Sequence, residues 1–288
     1  MQLQVTIPSD GIELAGVLHL PDGRAADGRL PVFVVLHGFM GSKDESHAEI
    51  QARMLEGFGY AALRIDFRGC GDSGGTRGYV LCLEQVADTR NAVTWLMQRP
   101  EIDPGRIAVI GHSFGAAVAV YTAGVDPRVA AVISSCGWGH GKRKFRGQHP
   151  GADNWQKFTG LLAAGRAHRE ATGEPLWVSR YDVVPIPEHL RRHVPAKAQT
   201  QVTTDTAESM MDFRAEDVVG AIAPRPLMLL HTAADTVTPT EQSIRMFERA
   251  GMPTELHLVT GESHFPLAGD DQPARDLIAG WLRRFFPR

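Results

Sequence analysis

Apolar residues along this chain fall into short runs that alternate with stretches of mixed polarity. The clearest run is Leu30-Pro31-Val32-Phe33-Val34-Val35-Leu36, which carries no charge. Ala61-Ala62-Leu63-Arg64-Ile65, Arg106-Ile107-Ala108-Val109-Ile110, Arg225–His231 and residues 253–260 have the same character. Runs this short and this rich in aliphatic and β-branched residues predict buried strands. Ala116–Tyr121, apolar throughout and alanine-rich, predicts a buried helix directly after one of them. Residues 3–8 and 12–20 read as an opening hairpin with Ser9-Asp10-Gly11 as its turn, and Ala274–Phe286 as a closing helix. Strand–helix alternation runs from Leu30 to about Ser134 and again from Arg225 to the end. This order predicts an α/β fold with a mostly parallel central sheet and helices on both faces.

The chemistry enters between the strand that ends at Ile110 and the helix that follows it. Gly111-His112-Ser113-Phe114-Gly115 is a Gly-x-Ser-x-Gly pentapeptide, weak as letters but set between a strand and a helix. In that setting it predicts a nucleophile elbow, a sharp turn that lifts the Ser113 hydroxyl out of the sheet. A side chain at either glycine would strike the adjoining strand or helix. A serine hydroxyl needs a base, and the base needs an orienting acid. Asp235 lies after the strand Arg225–His231, and His264 lies after the strand 253–260. In a parallel sheet the carboxyl ends of the strands share one edge, so three loops distant in sequence can converge there. The chain order serine, acid, histidine is that of α/β-hydrolases. His264 is expected to take the Ser113 proton, and Asp235 to fix the imidazole tautomer. Taken singly, Asp235 is also a plausible helix N-cap and His264 an ordinary surface-turn residue.

Leu30–Leu36 runs into His37-Gly38-Phe39-Met40-Gly41, and Ala61–Ile65 into Asp66-Phe67-Arg68-Gly69-Cys70-Gly71-Asp72-Ser73. With these motifs added, nearly the whole chain outside a middle insert resembles the α/β-hydrolase superfamily, in its serine-hydrolase branch. The resemblance implies two backbone donors for an oxyanion, the N–H of Phe39 and the N–H of Phe114. It implies a mainly structural role for Asp66, Arg68 and Ser73. Asp66 is the other acid to weigh, but it precedes the serine, so Asp235 is preferred.

The insert, residues 136–220, has a different texture and interrupts a core formed by 1–135 and 221–288. Many α/β-hydrolases carry a cap at this point, so a cap is implied. Helices are expected over Asp153–Thr172 and Thr203–Met211, and Lys142–Arg146 reads as a solvated basic loop. Trp138, Trp177 and Tyr181 are the candidates for substrate contact, Trp138 because the strand end before it points toward the site. Trp155 and Phe158 read as cap core.

Composition narrows the function further. The chain has 288 residues, 43% of them apolar, and a formal net charge of −3. That balance leaves no basic footprint for nucleic acid. No apolar run reaches the roughly 18 residues of a membrane span. The N-terminus reads as a strand, not a signal peptide. Cys70, Cys82 and Cys136 are too few and odd in number for a disulfide framework, which fits a reducing cytoplasm. His140 and His149 read as loop residues without a third metal ligand, so neither metal nor other cofactor is expected. A homo-oligomer is left open.

The expected activity is a serine hydrolase that cleaves a carboxylic ester, or a related acyl bond, of a small-molecule substrate through an acyl-enzyme on Ser113. The motifs are similar to carboxylesterases of the feruloyl type and to prolyl-oligopeptidase-like single-domain hydrolases. Peptidase or aminoacyl hydrolysis and carbon–carbon bond hydrolysis use the same triad and stay open. A ligand-binding protein on the same fold is the remaining alternative.

Overall fold

The computed structural model of the chain describes residues 1–22, 28–194, 198–260, 264–267 and 272–288. The turn residues Gly261, Glu262 and Ser263 before His264 lie outside these. Ten strands are present among the described residues: β1 Gln2–Ser9, β2 Ile12–His19, β3 Leu30–Leu36, β4 Ala61–Ile65, β5 Ile102–His112, β6 Val129–Ser135, β7 Trp177–Ser179, β8 Gln201–Thr203, β9 Leu227–Thr232 and β10 Thr254–Val259. Eight of them form one sheet in the order β1-β2-β4-β3-β5-β6-β9-β10. The β1–β2 and β2–β4 pairs are antiparallel and all later pairs are parallel.

Alternation along the central strands assigns the helices to the two faces. Val32, Val34 and Leu36 of β3 join one apolar cluster, and Phe33 and Val35 the other. The first cluster contains Val86, Val93 and Leu96 of α2 (Cys82–Met97) and most of α3 (Phe114–Val125). The second contains Ala52 and Leu55 of the helix Ser46–Gly57, and Ile278 and Trp281 of the helix Gln272–Phe285. Both faces of β3 are buried along its whole length, which explains its unbroken apolar run. Fully burying one such side chain contributes roughly 1.5–3 kcal/mol.

Between β6 and β9 the chain leaves the sheet. It forms the helices Gly141–Gln148, Ala152–Thr172, Arg180–Val183 and Thr204–Asp212, and β7 pairs with β8 as a separate antiparallel ribbon. Phe158, Leu162, Val202 and Met210 from this region belong to the same cluster as α2 and α3, so it packs on one face of the sheet. The helix Ala152–Thr172 ends at Gly173, whose φ of 79° supplies the left-handed cap.

Two expectations are corrected here. Lys142–Arg146 is not a solvated loop but part of the helix Gly141–Gln148, whose side chains Lys144 and Phe145 are buried. Trp138 is not among the residues that line the cavity over Ser113. It is 0% exposed, and its ring stands edge-on to Phe213 at 5.4 Å. The backbone before it explains the direction: Cys136 adopts φ 51°, so the chain turns sharply at the strand end and sends the indole into the core.

Lys144 carries a measurable consequence. It is 3% exposed, with its ammonium 4.0 Å from the centroid of Phe145 and 5.5 Å from that of Trp138. The rings partly compensate the charge, yet burial pulls its pKa down from 10.5 to about 7. Between those values the unfolded chain binds a proton that the folded chain does not, so this residue makes stability rise with pH from about 7 to about 10.5. Lys144→Met is therefore expected to raise the melting temperature at pH 6–7, by on the order of 2–4 kcal/mol of stability, with the advantage shrinking toward pH 10. Thermal melts of both proteins across that range check it. An advantage independent of pH contradicts it.

Among the described residues no helix is long and apolar enough to cross a membrane.

Candidate active site

The site forms where β5 meets α3. Ser113 adopts φ 55°, ψ −112°, a conformation costly for any residue with a side chain. The glycines around it are there for contact reasons. A Cβ on Gly115 would lie 2.4 Å from the carbonyl oxygen of Leu36, and one on Gly111 would lie 2.3 Å from the carbonyl group of Gly115. Strand β3 and helix α3 therefore approach closely, and the turn between β5 and α3 is forced tight. Ser113 N–H donates to the Ser135 carbonyl at 2.8 Å, tying the elbow to the end of β6.

The loops after β9 and β10 bring the other two residues to the same sheet edge. His264 Nε2 lies 2.8 Å from Ser113 Oγ, and His264 Nδ1 lies 2.8 Å from Asp235 Oδ2. With Nδ1–H donating to the carboxylate, Nε2 is free to accept from the hydroxyl. Asp235 Oδ1 accepts from the N–H of Val237 and of Thr238, each at 2.8 Å. His231 Nε2 stands 3.3 Å from Oδ2. Burial alone would raise the Asp235 carboxyl; the facing His264 and the hydrogen bonds from His231 and His264 outweigh it and hold it well below the usual carboxylate range. Asp235 is thus an anion next to the imidazole. His264 itself has φ 71°, and its backbone N–H donates to Thr232 Oγ1 at 3.2 Å, which anchors the main chain that carries the ring.

The rings of Phe39 and Phe114 pack on each other in a tilted arrangement, 6.0 Å apart. Phe114 is the first residue of α3, where an N–H has no intrahelical acceptor. No acceptor among the described residues takes the N–H of Phe39 or of Phe114. His37 shapes the loop beneath them: Nε2 accepts from Phe67 N–H at 3.1 Å, and Nδ1–H donates to the Gly38 carbonyl at 2.8 Å.

The cavity over Ser113 is small, about 60 Å³, and is lined by Phe39, His112, Arg180, Val184, Ile186 and His264 among others. The cap therefore reaches the site, but through other residues than the expected aromatics. Trp177 is 41% exposed and packs near Gly78, where an added Cβ would meet its ring at 2.8 Å. Tyr181 lies under the guanidinium of Arg191, 4.2 Å from its ring centroid, and lines a separate cap cavity of about 520 Å³ that includes none of the three residues Ser113, Asp235 and His264. The segment 180–186 divides the two spaces. Arg180, Val184 and Ile186 face Ser113, whereas Tyr181, Asp182 and Pro185 face the larger cavity.

Four residues near Ser113 were not anticipated from sequence. Glu45 is buried, and its Oε1 accepts from Gly38 N–H at 2.9 Å. Arg180 donates from Nη2 to the Phe39 carbonyl at 2.9 Å. His112 and His47 stack at 5.0 Å, and His112 also lies 4.9 Å from His264. Burial, then the neighbouring His264 and His47, hold His112 well below the ordinary histidine range, so it stays neutral. Arg180 lies 141 residues from its partner, a separation that leaves no local signal.

The Asp-x-Arg-Gly-x-Gly-x-Ser loop is pinned by contacts away from His264. Lys43 Nζ stands 3.0 Å from Asp66 Oδ2. Arg68 pairs with Asp88 at 2.7 Å, and Ser73 Oγ donates to the Asp66 carbonyl at 2.7 Å. His140 and His149 serve the helix Gly141–Gln148: His140 Nδ1 accepts from Arg143 N–H, and His149 stacks on Phe158 at 4.2 Å. Among the described residues, Cys136, Asp235 and His264 are the one grouping with metal-ligand spacing. Asp235 and His264 already hold each other, and burial pushes the Cys136 thiol well above its ordinary range, so the set is poorly suited to a resident ion.

Comparison with known proteins gives the family. The family described as "Serine aminopeptidase, S33" matches residues 29–271. A polyketide transferase of a Penicillium species is 27% identical over 96% of this chain and 93% of its own length. A thiohydrolase of Aspergillus aculeatus is 27% identical over 90% of this chain and 84% of its own. The crystal structure of a hypothetical protein from Pseudomonas aeruginosa superposes with a TM-score of 0.85 at 25% identity, covering 99% of this chain and 94% of that one. The chain belongs to the serine aminopeptidase S33 family of enzymes, within the serine-hydrolase branch of the α/β-hydrolase superfamily.

Proposed function

We propose that this protein is a serine acyl hydrolase that cleaves a carboxylic ester or thioester of a small molecule. Ser113 Oγ attacks the acyl carbon as His264 Nε2 takes the hydroxyl proton. The N–H groups of Phe39 and Phe114 receive the oxyanion. His264 returns the proton to the leaving oxygen or sulfur as the bond to it breaks, leaving an acyl group on Ser113. Water, deprotonated by His264, then releases the acid and restores the hydroxyl. The observation that carries this reading is the unbroken run of 2.8 Å contacts from Ser113 through His264 to Asp235.

The described lining of the cavity favours esters and thioesters over peptides with a free amino terminus. An α-ammonium group calls for an accessible carboxylate, and Glu45, the one acidic lining residue among the described residues, is buried and accepts the Gly38 N–H. Arg180 instead brings a positive charge to that wall. The relatives named thiohydrolase and polyketide transferase add support for an acyl thioester and for a second reading, transfer to an acceptor other than water. The test is a panel of p-nitrophenyl acetate, an N-acetylcysteamine acetyl thioester and alanine p-nitroanilide, with methanol added as a competing acceptor. The oxyester and thioester are expected to turn over, with kcat/KM at least about 10²-fold above the anilide. An anilide cleaved as fast as the ester points to a peptidase, and methyl acetate as the main product points to transfer.

A further inference from the structure

We propose that Arg180 and Glu45 are positioning residues that hold the Phe39 N–H in place for the oxyanion, so that the cap takes part in the chemical step. The inference rests on the serine acyl-hydrolase reading above and names a device within that site. The peptide bearing the Phe39 N–H lies between two peptides that are each fixed by a buried charged side chain. Glu45 Oε1 accepts the Gly38 N–H on one side at 2.9 Å. Arg180 Nη2 donates to the Phe39 carbonyl on the other, also at 2.9 Å. Glu45 is 7% exposed and Arg180 3%. The next residue, Met40, sits at φ 55°, a backbone state that persists only where its surroundings over-determine it.

Arg180 comes from the cap, and its other hydrogen bonds return to the cap. Its own N–H donates to the Thr200 carbonyl at 2.9 Å, and Nη1 reaches the Gln199 carbonyl at 3.4 Å. Its guanidinium also lies 5.6 Å from the centroid of the Phe39 ring. Among the described residues no carboxylate lies within 4.0 Å of it. A buried arginine without an ion pair is an expensive way to fill space, and a methionine would fill it more cheaply. What the guanidinium alone supplies is a rigid fork of donors that joins carbonyls on two separate segments. One of those carbonyls belongs to the oxyanion loop. When the fork is lost, the Phe39–Met40 peptide is free to rotate, and small misplacements of a catalytic donor are costly in rate.

The experiment uses Arg180→Met and Arg180→Lys in the full chain. It reads kcat and KM on p-nitrophenyl acetate, the affinity of a trifluoromethyl ketone that forms a tetrahedral adduct, and the melting temperature. For folded Arg180→Met, kcat is expected to fall on the order of 10²-fold with KM within about threefold. The ketone affinity is expected to fall by the same factor as kcat/KM, and Arg180→Lys to recover part of the loss. A purely structural arginine would lower the melting temperature and leave kcat per folded molecule unchanged. Folded Arg180→Met with kcat within about threefold of wild type, or a loss confined to KM, overturns the inference. If Arg180→Met does not fold, Arg180→Lys decides alone: a kcat loss of about fivefold or more at unchanged KM supports the inference, and an unchanged kcat overturns it. A wild-type protein that neither hydrolyses the ester nor reacts with a fluorophosphonate at Ser113 instead refutes the acyl-hydrolase reading, and the inference falls with it.

Discussion

Ser113→Ala is expected to remove ester turnover, by about 10⁴–10⁶-fold in kcat, while leaving the fold intact. Its one side-chain hydrogen bond is to His264 Nε2 at 2.8 Å, so truncation costs the core nothing. Alanine meets the same backbone requirement at φ 55° as serine does. What disappears is the hydroxyl that lines the cavity and is held against the His264 imidazole, whose other nitrogen faces Asp235. Steady-state rates on p-nitrophenyl acetate, normalised to folded protein, give the answer. A variant that retains a tenth of wild-type turnover removes Ser113 from the mechanism.

Asp235→Asn is expected to lower kcat by about 10⁴-fold without unfolding the chain. An asparagine oxygen can keep the two amide bonds from Val237 and Thr238. Its NH₂ would then face His264 Nδ1, which must accept; the imidazole proton moves to Nε2, and the base toward Ser113 is lost. Asp66→Asn is expected to behave in the opposite way. Asp66 is fully buried and pairs with Lys43 Nζ at 3.0 Å. Its neutralisation leaves that ammonium only the exposed Asp44 and Asp72 as partners and costs about 1–3 kcal/mol of stability, with little effect on the rate of the folded fraction. Melting temperatures and rates for the two variants separate the roles. Loss of activity in folded Asp66→Asn beside an active Asp235→Asn would identify the wrong carboxylate.

The parts of this molecule that could be read from sequence are those fixed by local rules. A seven-residue apolar run such as Leu30–Leu36 must be covered on both faces, and it is. The glycines at 111 and 115 signal a turn that no side chain could enter, and the contacts with Leu36 and Gly115 show why. Asp235 and His264 follow strands that are parallel neighbours, β9 and β10, so placement after a strand was enough to bring them to one edge. The cap obeyed no such rule. The direction of β6 points Trp138 toward the site, but the left-handed turn at Cys136 precedes a side chain that lies in the core. The charges of Lys142–Arg146 suggest a solvated loop, although the whole side chain of Lys144 and the ring of Phe145 are what the helix buries. Arg180 and Glu45 meet the oxyanion loop from segments whose sequence carries no periodic or motif signal, and only the folded chain brings them together.

The central claim is that Ser113 carries the acyl group, and the most direct test is a covalent one. Wild-type protein is treated with a fluorophosphonate, and the intact mass and peptide masses are measured. One adduct per chain is expected, on the peptide containing Gly111 to Gly115, with no adduct in Ser113→Ala and labelling slowed by at least about 10³-fold in Asp235→Asn. An actively hydrolysing wild-type protein that takes up no label, or takes it up on another residue, would contradict it.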